Sequence, residues 1–184
     1  MNAEALFPYL VRGLPDPAAG DLAVPVGHGL FAVVYEDRDA GGPIVHTPVT
    51  REALAAAGLT PAAAHAAALE NLTKFADADE RLSIQILGGP GEPVHFLFYS
   101  DHPRAAACLR LPDLFSEARD HLGTTDLCAV VPQQESLVVF PKRDRAHRDA
   151  LVAKLRAIEA GADAPLTFEL FDLTEAGVRP FTET

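Results

Sequence analysis

Ser100-Asp101-His102 sets side by side the residue types of a nucleophile, an orienting acid and a base. A hydrolytic triad needs these groups to converge from separate segments, since adjacent side chains cannot form the required chain of hydrogen bonds. Pro103 follows, so the tripeptide reads as a strand end leading into helix-capping chemistry. His95 meets His102 only if the chain folds back between them, and zinc ligands usually come in tighter pairs. His95, Asp101 and His102 nonetheless define an enzymatic alternative, a hydrolase built at a strand end, where active sites often form.

Other chemistry-bearing residues give weaker patterns. Asp37-Arg38-Asp39 offers two carboxylates to a divalent cation, but further oxygen ligands are not evident nearby. It reads as an acidic hairpin loop. Gly88-Gly89-Pro90-Gly91 follows a strand, as a phosphate-binding loop must, but a second strand follows it. A hairpin turn is the expectation there. His46, His65, His121 and His147 occur singly, and a satisfied or exposed imidazole is expected for each. Cys108 and Cys128 lie among apolar neighbours and are expected to be buried, unpaired thiols. Neither a metal nor a cofactor is expected.

One segment departs from the acidic average. The 184 residues carry a net charge of −11, yet Lys142, Arg143, Arg145, Arg148, Lys154 and Arg156 face only Asp144 and Asp149 between positions 142 and 156. That segment has a net charge of +4. It reads either as a solvated helix face whose charges meet acidic neighbours or as a docking patch for an acidic protein or a small anionic ligand. The candidate binding residues are Lys142, Arg143, Arg145 and Arg148. The overall acidity argues against nucleic acid and against anionic membrane surfaces. No apolar run approaches the ~20 residues of a membrane span. The opening MNAEALFPYLVRGLPDP lacks the basic start and apolar stretch of a secretory signal, so a cytoplasmic protein is expected.

The elements that must position these residues are read from periodicity and punctuation. A helix is expected over Ala3–Arg12, with Leu6, Tyr9 and Leu10 on one face. Asp21–Val26 and Leu30–Tyr35 flank Gly27-His28-Gly29 and form a hairpin with His28 at an exposed tip. A short strand, Ile44–Thr47, follows. Thr50 caps a helix over Arg51–Ala57 that Gly58 stops, and Thr60 caps a second from Pro61 to about Ala76. In that helix Leu69, Leu72 and Phe75 cluster, and Ala63, Ala66 and Ala67 allow close packing. Asn71 is unfavourable inside it, and either bonds a neighbouring loop or sits at the surface.

Leu82, Ile84 and Ile86 alternate as one strand, and Val94, Phe96 and Phe98 as a more central one covered on both sides. Helices follow over Pro103–Leu109 and from Pro112 to about His121, ended by Gly123. Leu127–Val131 and Ser136–Phe140 form a hairpin. The helix from Arg145 to about Ala160 turns Val152, Leu155 and Ile158 inward, with Leu151 at its edge. Leu166–Leu170 is a late strand, and Val178–Phe181 a final short one. Clustered hairpins argue for an α+β fold with a mostly antiparallel sheet and helices packed on it. One domain over 1–184 is expected, with sub-lobes 1–87 and 88–184 left open.

Several stretches together resemble the YtpQ-like family of uncharacterised bacterial proteins (domain of unknown function 1444). GLTPAAAHAAALENL, Gly58 to Leu72, is similar to that family's turn and helix ending in Ala-x-x-Asn-Leu, here Ala68, Asn71 and Leu72. Ala105–Gly123 is similar to its small-residue, leucine-rich helix and the segment after it, with Phe115 where the family often has Trp. Cys128–Phe140 looks like its Val-Pro-Asn-Arg-Asp-x-Leu hairpin, with Gln133-Gln134-Glu135 replacing Asn-Arg-Asp. Leu166–Phe181 resembles its closing hairpin. The resemblance covers roughly residues 20 to 182, and implies a compact α+β domain in a bacterial cytoplasm without supplying a reaction. On these readings a non-catalytic protein- or ligand-binding domain, docking through 142–156, is expected. The hydrolase and a homo-oligomeric structural module, packing through the alanine-rich helix, are the alternatives.

Overall fold

The computed structural model describes residues 1–13, 22–38, 44–78, 83–87, 96–143, 145–159, 161 and 165–183. The chain forms two compact units, Met1–Asp79 and Glu80–Thr184. Each is an α+β unit with an antiparallel sheet.

The first unit is built on β3, Leu30–Arg38, its longest strand. Strand β1, Leu6–Arg12, runs along one side of it from Leu6↔Glu36 to Arg12↔Leu30. On the other side β2, Ala23–Gly27, pairs with its first part and β4, Val45–Pro48, with its second. The β2–β3 turn is the expected hairpin. His28 has φ 51° and Gly29 φ 73°, the pair of positive φ values that lets a two-residue turn match the twist of its strands. His28 is half-buried there.

The helix expected over Ala3–Arg12 is absent. Only Ala3–Ala5 makes a 3-10 turn, and Leu6–Arg12 is strand. A short apolar run is ambiguous between helix and buried strand. The long β3 resolves it by providing a complete partner edge, while Pro8, which has no N–H to give, is accommodated because β1 is an edge strand.

Two capped helices follow. In α1, Arg51–Ala56, the Thr50 hydroxyl accepts from Ala53 N–H at 3.2 Å. Gly58, with φ 68°, stops it in the left-handed region. In α2, Pro61–Ala78, Thr60 caps in the same way, accepting from Ala63 N–H at 3.2 Å. The face α2 buries is Ala64, Ala68, Leu72 and Phe75. Ala64 and Ala68 pack with Leu6, Val34 and Leu54. Ala67 packs against the same cluster, whereas Ala63 and Ala66 are exposed.

In the second unit six strands lie in the order β10-β9-β7-β8-β6-β5. They are β5 Ser83–Leu87, β6 Phe96–Ser100, β7 Leu127–Gln133, β8 Ser136–Pro141, β9 Phe171–Thr174 and β10 Gly177–Pro180. Thus β5 pairs with β6 and belongs to this unit. The turn cluster Gly88–Gly91 between them lies outside the described residues. The central hairpin β7–β8 is joined by Gln134-Glu135 and is buried almost throughout.

Both faces of this sheet are covered. On one, Cys128, Val130, Val138 and Phe140 pack against Leu155 and Leu151 of α4, Arg145–Ile158. On the other lie the 3-10 turn Ala106–Arg110 and α3, Leu114–Leu122, ended by Gly123 at φ 68°. Tyr99 of β6 is fully buried on that side, and its hydroxyl donates to Glu117 of α3 at 2.8 Å.

Two expectations need correction here. Ile158 does not face inward but is 67% exposed, because packing stops one turn before the periodicity does. Leu166–Leu170 is not a strand. It runs extended beside the irregularity in β7, where Leu166 N–H donates to Pro132 O at 2.7 Å and Thr167 N–H to Val131 O at 3.1 Å. The register shift between Val130 and Gln133 breaks the ladder that a regular strand would need. The closing hairpin is β9–β10 instead.

Candidate functional site

The basic segment begins where β8 ends. Lys142 is fixed there by its own backbone, whose N–H donates to Asp126 O at 2.7 Å. Its ammonium lies 2.7 Å from Oδ1 of Asp172, a largely buried residue of β9. Arg179 of β10 takes the other oxygen of that carboxylate at 3.3 Å. The Asp172 carboxylate of β9 therefore joins the end of β8 to β10. The carbonyl of Arg143 accepts from the Arg148 guanidinium.

Arg145 and Arg148 stand one turn apart on α4 and meet at one carboxylate. Arg145 Nη1 is 3.2 Å from Oε2 of Glu183, and Arg148 Nη2 is 3.1 Å from Oε1. Arg145 also approaches Asp149 at 3.5 Å. The two arginines differ in exposure: the Arg145 side chain is 73% exposed and the Arg148 side chain 12%. Exposed pairs contribute little, whereas a partly desolvated guanidinium holding an oxyanion gives a stronger, more directional contact.

Aromatic rings complete the arrangement. The Arg148 guanidinium lies over Phe181 at 5.0 Å, and the Lys142 ammonium over the same ring at 4.8 Å. Arg156, two turns further along α4, lies over Phe168 at 5.3 Å. Between the helix and the extended segment runs a groove of about 530 Å³, with Val152 and Leu170 among its apolar lining. Such a groove offers apolar surface, two guanidiniums each lying over an aromatic ring and one carboxylate clamp.

Of the sequence-derived candidates, Arg145 and Arg148 converge and Lys142 shares the Phe181 ring. The +4 segment is met by Asp126, Asp149, Asp172 and Glu183. Sequence reasoning did not single out Phe168, Phe181, Glu183 or Asp172. For Phe168 a signal existed in the alternation of Leu166, Phe168 and Leu170, whereas nothing local links Glu183 to Arg148.

A second polar cluster lies in the first unit. The Tyr9 hydroxyl donates to Oδ2 of Asp37 at 2.9 Å, and His46 Nδ1 lies 2.8 Å from Oδ1 of Asp37. Tyr9 Oη and His46 Nδ1 are themselves 2.8 Å apart. A carboxylate only accepts, so the imidazole proton sits on Nδ1. Asp37 is therefore not loop but the inward end of β3, and His46 is not a solitary imidazole. Asp39, the other acid of the expected loop, lies outside the described residues.

The residues of the hydrolase alternative are placed as follows. His95 lies outside the described residues. Asp101 is exposed, has φ 65° and accepts from the Ser100 hydroxyl at 2.9 Å. His102 is 3% exposed, and its Nδ1 accepts from Arg104 N–H at 3.1 Å. In the neutral ring this places the proton on Nε2, the reverse of what a base held by a carboxylate at Nδ1 requires. Asp101 and His102 thus serve a turn, as capping groups do.

Both cysteines are free and buried. Burial pushes the Cys108 thiol up to about 12, with the Glu117 charge adding to the shift. Burial pushes Cys128 up to about 11. Both are protonated and unreactive at neutral pH. Among the described residues no group of three His, Cys, Asp or Glu is arranged to hold a metal ion, and no helix is long and apolar enough to cross a membrane. The chain matches no protein-family model, no curated protein and no solved structure.

Proposed function

We propose that this protein is a non-catalytic binding module whose α4 groove docks an acidic polypeptide partner. Membership of the YtpQ-like family belongs to the same proposal and adds no reaction to it. The observation that supports the reading is the pair Arg148 and Arg156, each laid over a phenylalanine ring in the wall of one groove. Stacked guanidiniums are pre-ordered, so little side-chain freedom is lost when they accept an oxyanion. A chain with net charge −11 would gain little from presenting acids to an acidic partner elsewhere, so this cationic stretch sets where docking occurs.

The test is fluorescence anisotropy with a labelled octaglutamate peptide at low ionic strength. Binding that weakens steeply with salt and is abolished in Arg148→Glu/Arg156→Glu supports the reading. An octaglutamate signal unchanged in that double variant, or no octaglutamate binding to the wild-type chain at low ionic strength, overturns it.

A further inference from the structure

Phe181 and Glu183 line the α4 groove, and their contacts with its arginines indicate what such a groove can hold. Phe181 N–H donates to Leu170 O at 2.9 Å, so the segment 181–183 is tied to the extended stretch along the groove. The Phe181 ring then lies under Arg148 and Lys142. Two residues on, the Glu183 carboxylate gives one oxygen to Arg145 and the other to Arg148. Arg148 is thus used three times, its guanidinium over the ring, Nη2 on the acid and Nη1 on the Arg143 carbonyl. That geometry selects an extended peptide with a carboxylate two residues after an aromatic ring. In an extended chain, residues two apart project on the same side, so both groups reach the same helix face.

Resting on the docking reading above, we infer that the groove recognises partner segments of this aromatic-x-acidic pattern and that Phe181-Thr182-Glu183 is its internal competitor. The partner is a protein supplying such a segment, which must displace Glu183 from the two arginines. A tethered competitor acts at high effective concentration, so it weakens apparent affinity without blocking the site outright. The occupant is an acidic peptide because the two arginines already hold a carboxylate, and the ring two residues before that carboxylate lies under the Arg148 guanidinium.

The experiment uses the full chain and two labelled probes, a pentapeptide copying residues 179–183 and octaglutamate. Glu183→Gln keeps Phe181 and its packing while removing the charge that the clamp holds. Glu169→Gln removes one negative charge from the same groove without touching the clamp, and so controls for net charge. The expected result is that Glu183→Gln tightens binding of the pentapeptide by roughly three- to tenfold, a range set by the loss of one tethered contact. Glu169→Gln should leave it nearly unchanged, and Arg148→Gln should abolish it. Equal tightening in both glutamate variants overturns the inference, because the effect would then be charge alone. Octaglutamate binding that is sensitive to Arg148 and Arg156, combined with no pentapeptide binding, also overturns it while leaving the docking reading standing. If neither probe binds any form, both fall together.

Discussion

Asp37 of β3 and His46 of β4 stand directly opposite each other in the ladder, with the imidazole Nδ1 2.8 Å from the carboxylate Oδ1. Tyr9 of β1 reaches the same carboxylate from the far side of β3. One acid therefore ties β1 and β4 to the central strand. Removing Asp37 breaks both bonds to the carboxylate, whereas removing the Tyr9 hydroxyl leaves the Asp37–His46 pair in place. Asp37→Ala is expected to destabilise the protein by about 2–3 kcal/mol and Tyr9→Phe by about 1 kcal/mol. Denaturant unfolding checks the order, and equal losses would show that Asp37 is not the hub.

Asn71 of α2 reaches across to the N-terminal turn, and its amide donates to Ala3 O at 2.8 Å and Leu6 O at 2.9 Å. The helix thereby holds the turn that leads into β1. Asn71→Ala improves helix propensity but leaves these carbonyls without their donor. A net loss of about 1–2 kcal/mol is expected. A stabilised variant in thermal unfolding would show that propensity outweighs the two bonds.

Asp172 joins Lys142 and Arg179 at a largely buried point of β9. Asp172→Asn keeps the shape and removes the charge. It should cost about 2 kcal/mol, since hydrogen bonds to charged groups exceed neutral ones. The loss should survive high salt because the site is shielded from screening ions. A difference between variant and wild type that vanishes at 1 M salt would place the pair effectively in solvent.

Both thiols titrate above their ordinary range, Cys108 at about 12 and Cys128 at about 11, chiefly through burial. The unfolded chain releases these protons near pH 9, while the folded chain keeps them. Unfolded protein then binds fewer protons than folded protein, so stability falls as pH rises above about 9 and goes on falling until the folded thiols ionise. Below pH 9 the thiols contribute no slope. Denaturation midpoints between pH 7 and pH 11 test this sign. At pH 8 a disulfide reagent should label neither cysteine in the folded state and both after unfolding, and fast labelling of the folded protein would contradict the burial.

Hairpins and helix caps were legible because their causes are local. Gly29 and Gly58 supply the positive φ that their turns need, and Thr50 and Thr60 each stand where a helix needs an acceptor. Half of the candidate site was legible too, since Arg145 and Arg148 lie one helical turn apart in a basic stretch. The carboxylate they grip was not, because Glu183 lies 35 positions beyond Arg148. No periodicity reports a contact at that separation.

By itself the sequence determined the α+β class, the β2–β3 and β7–β8 hairpins, the starts of α1 and α2 and the cationic face of α4, whereas the helix expected over Pro103–Leu109 is only a 3-10 turn at Ala106–Arg110. These follow from repeats of 2 and 3.6 residues and from residues whose backbone or side chain suits a single local role. Tertiary structure alone decided that Leu6–Arg12 is a strand, that Asp37 faces inward to Tyr9 and His46, and that Phe181 and Glu183 line the α4 groove. Each depends on a partner distant in sequence. The free energy of such contacts comes from burial and hydrogen bonding that exist only once the partner has arrived.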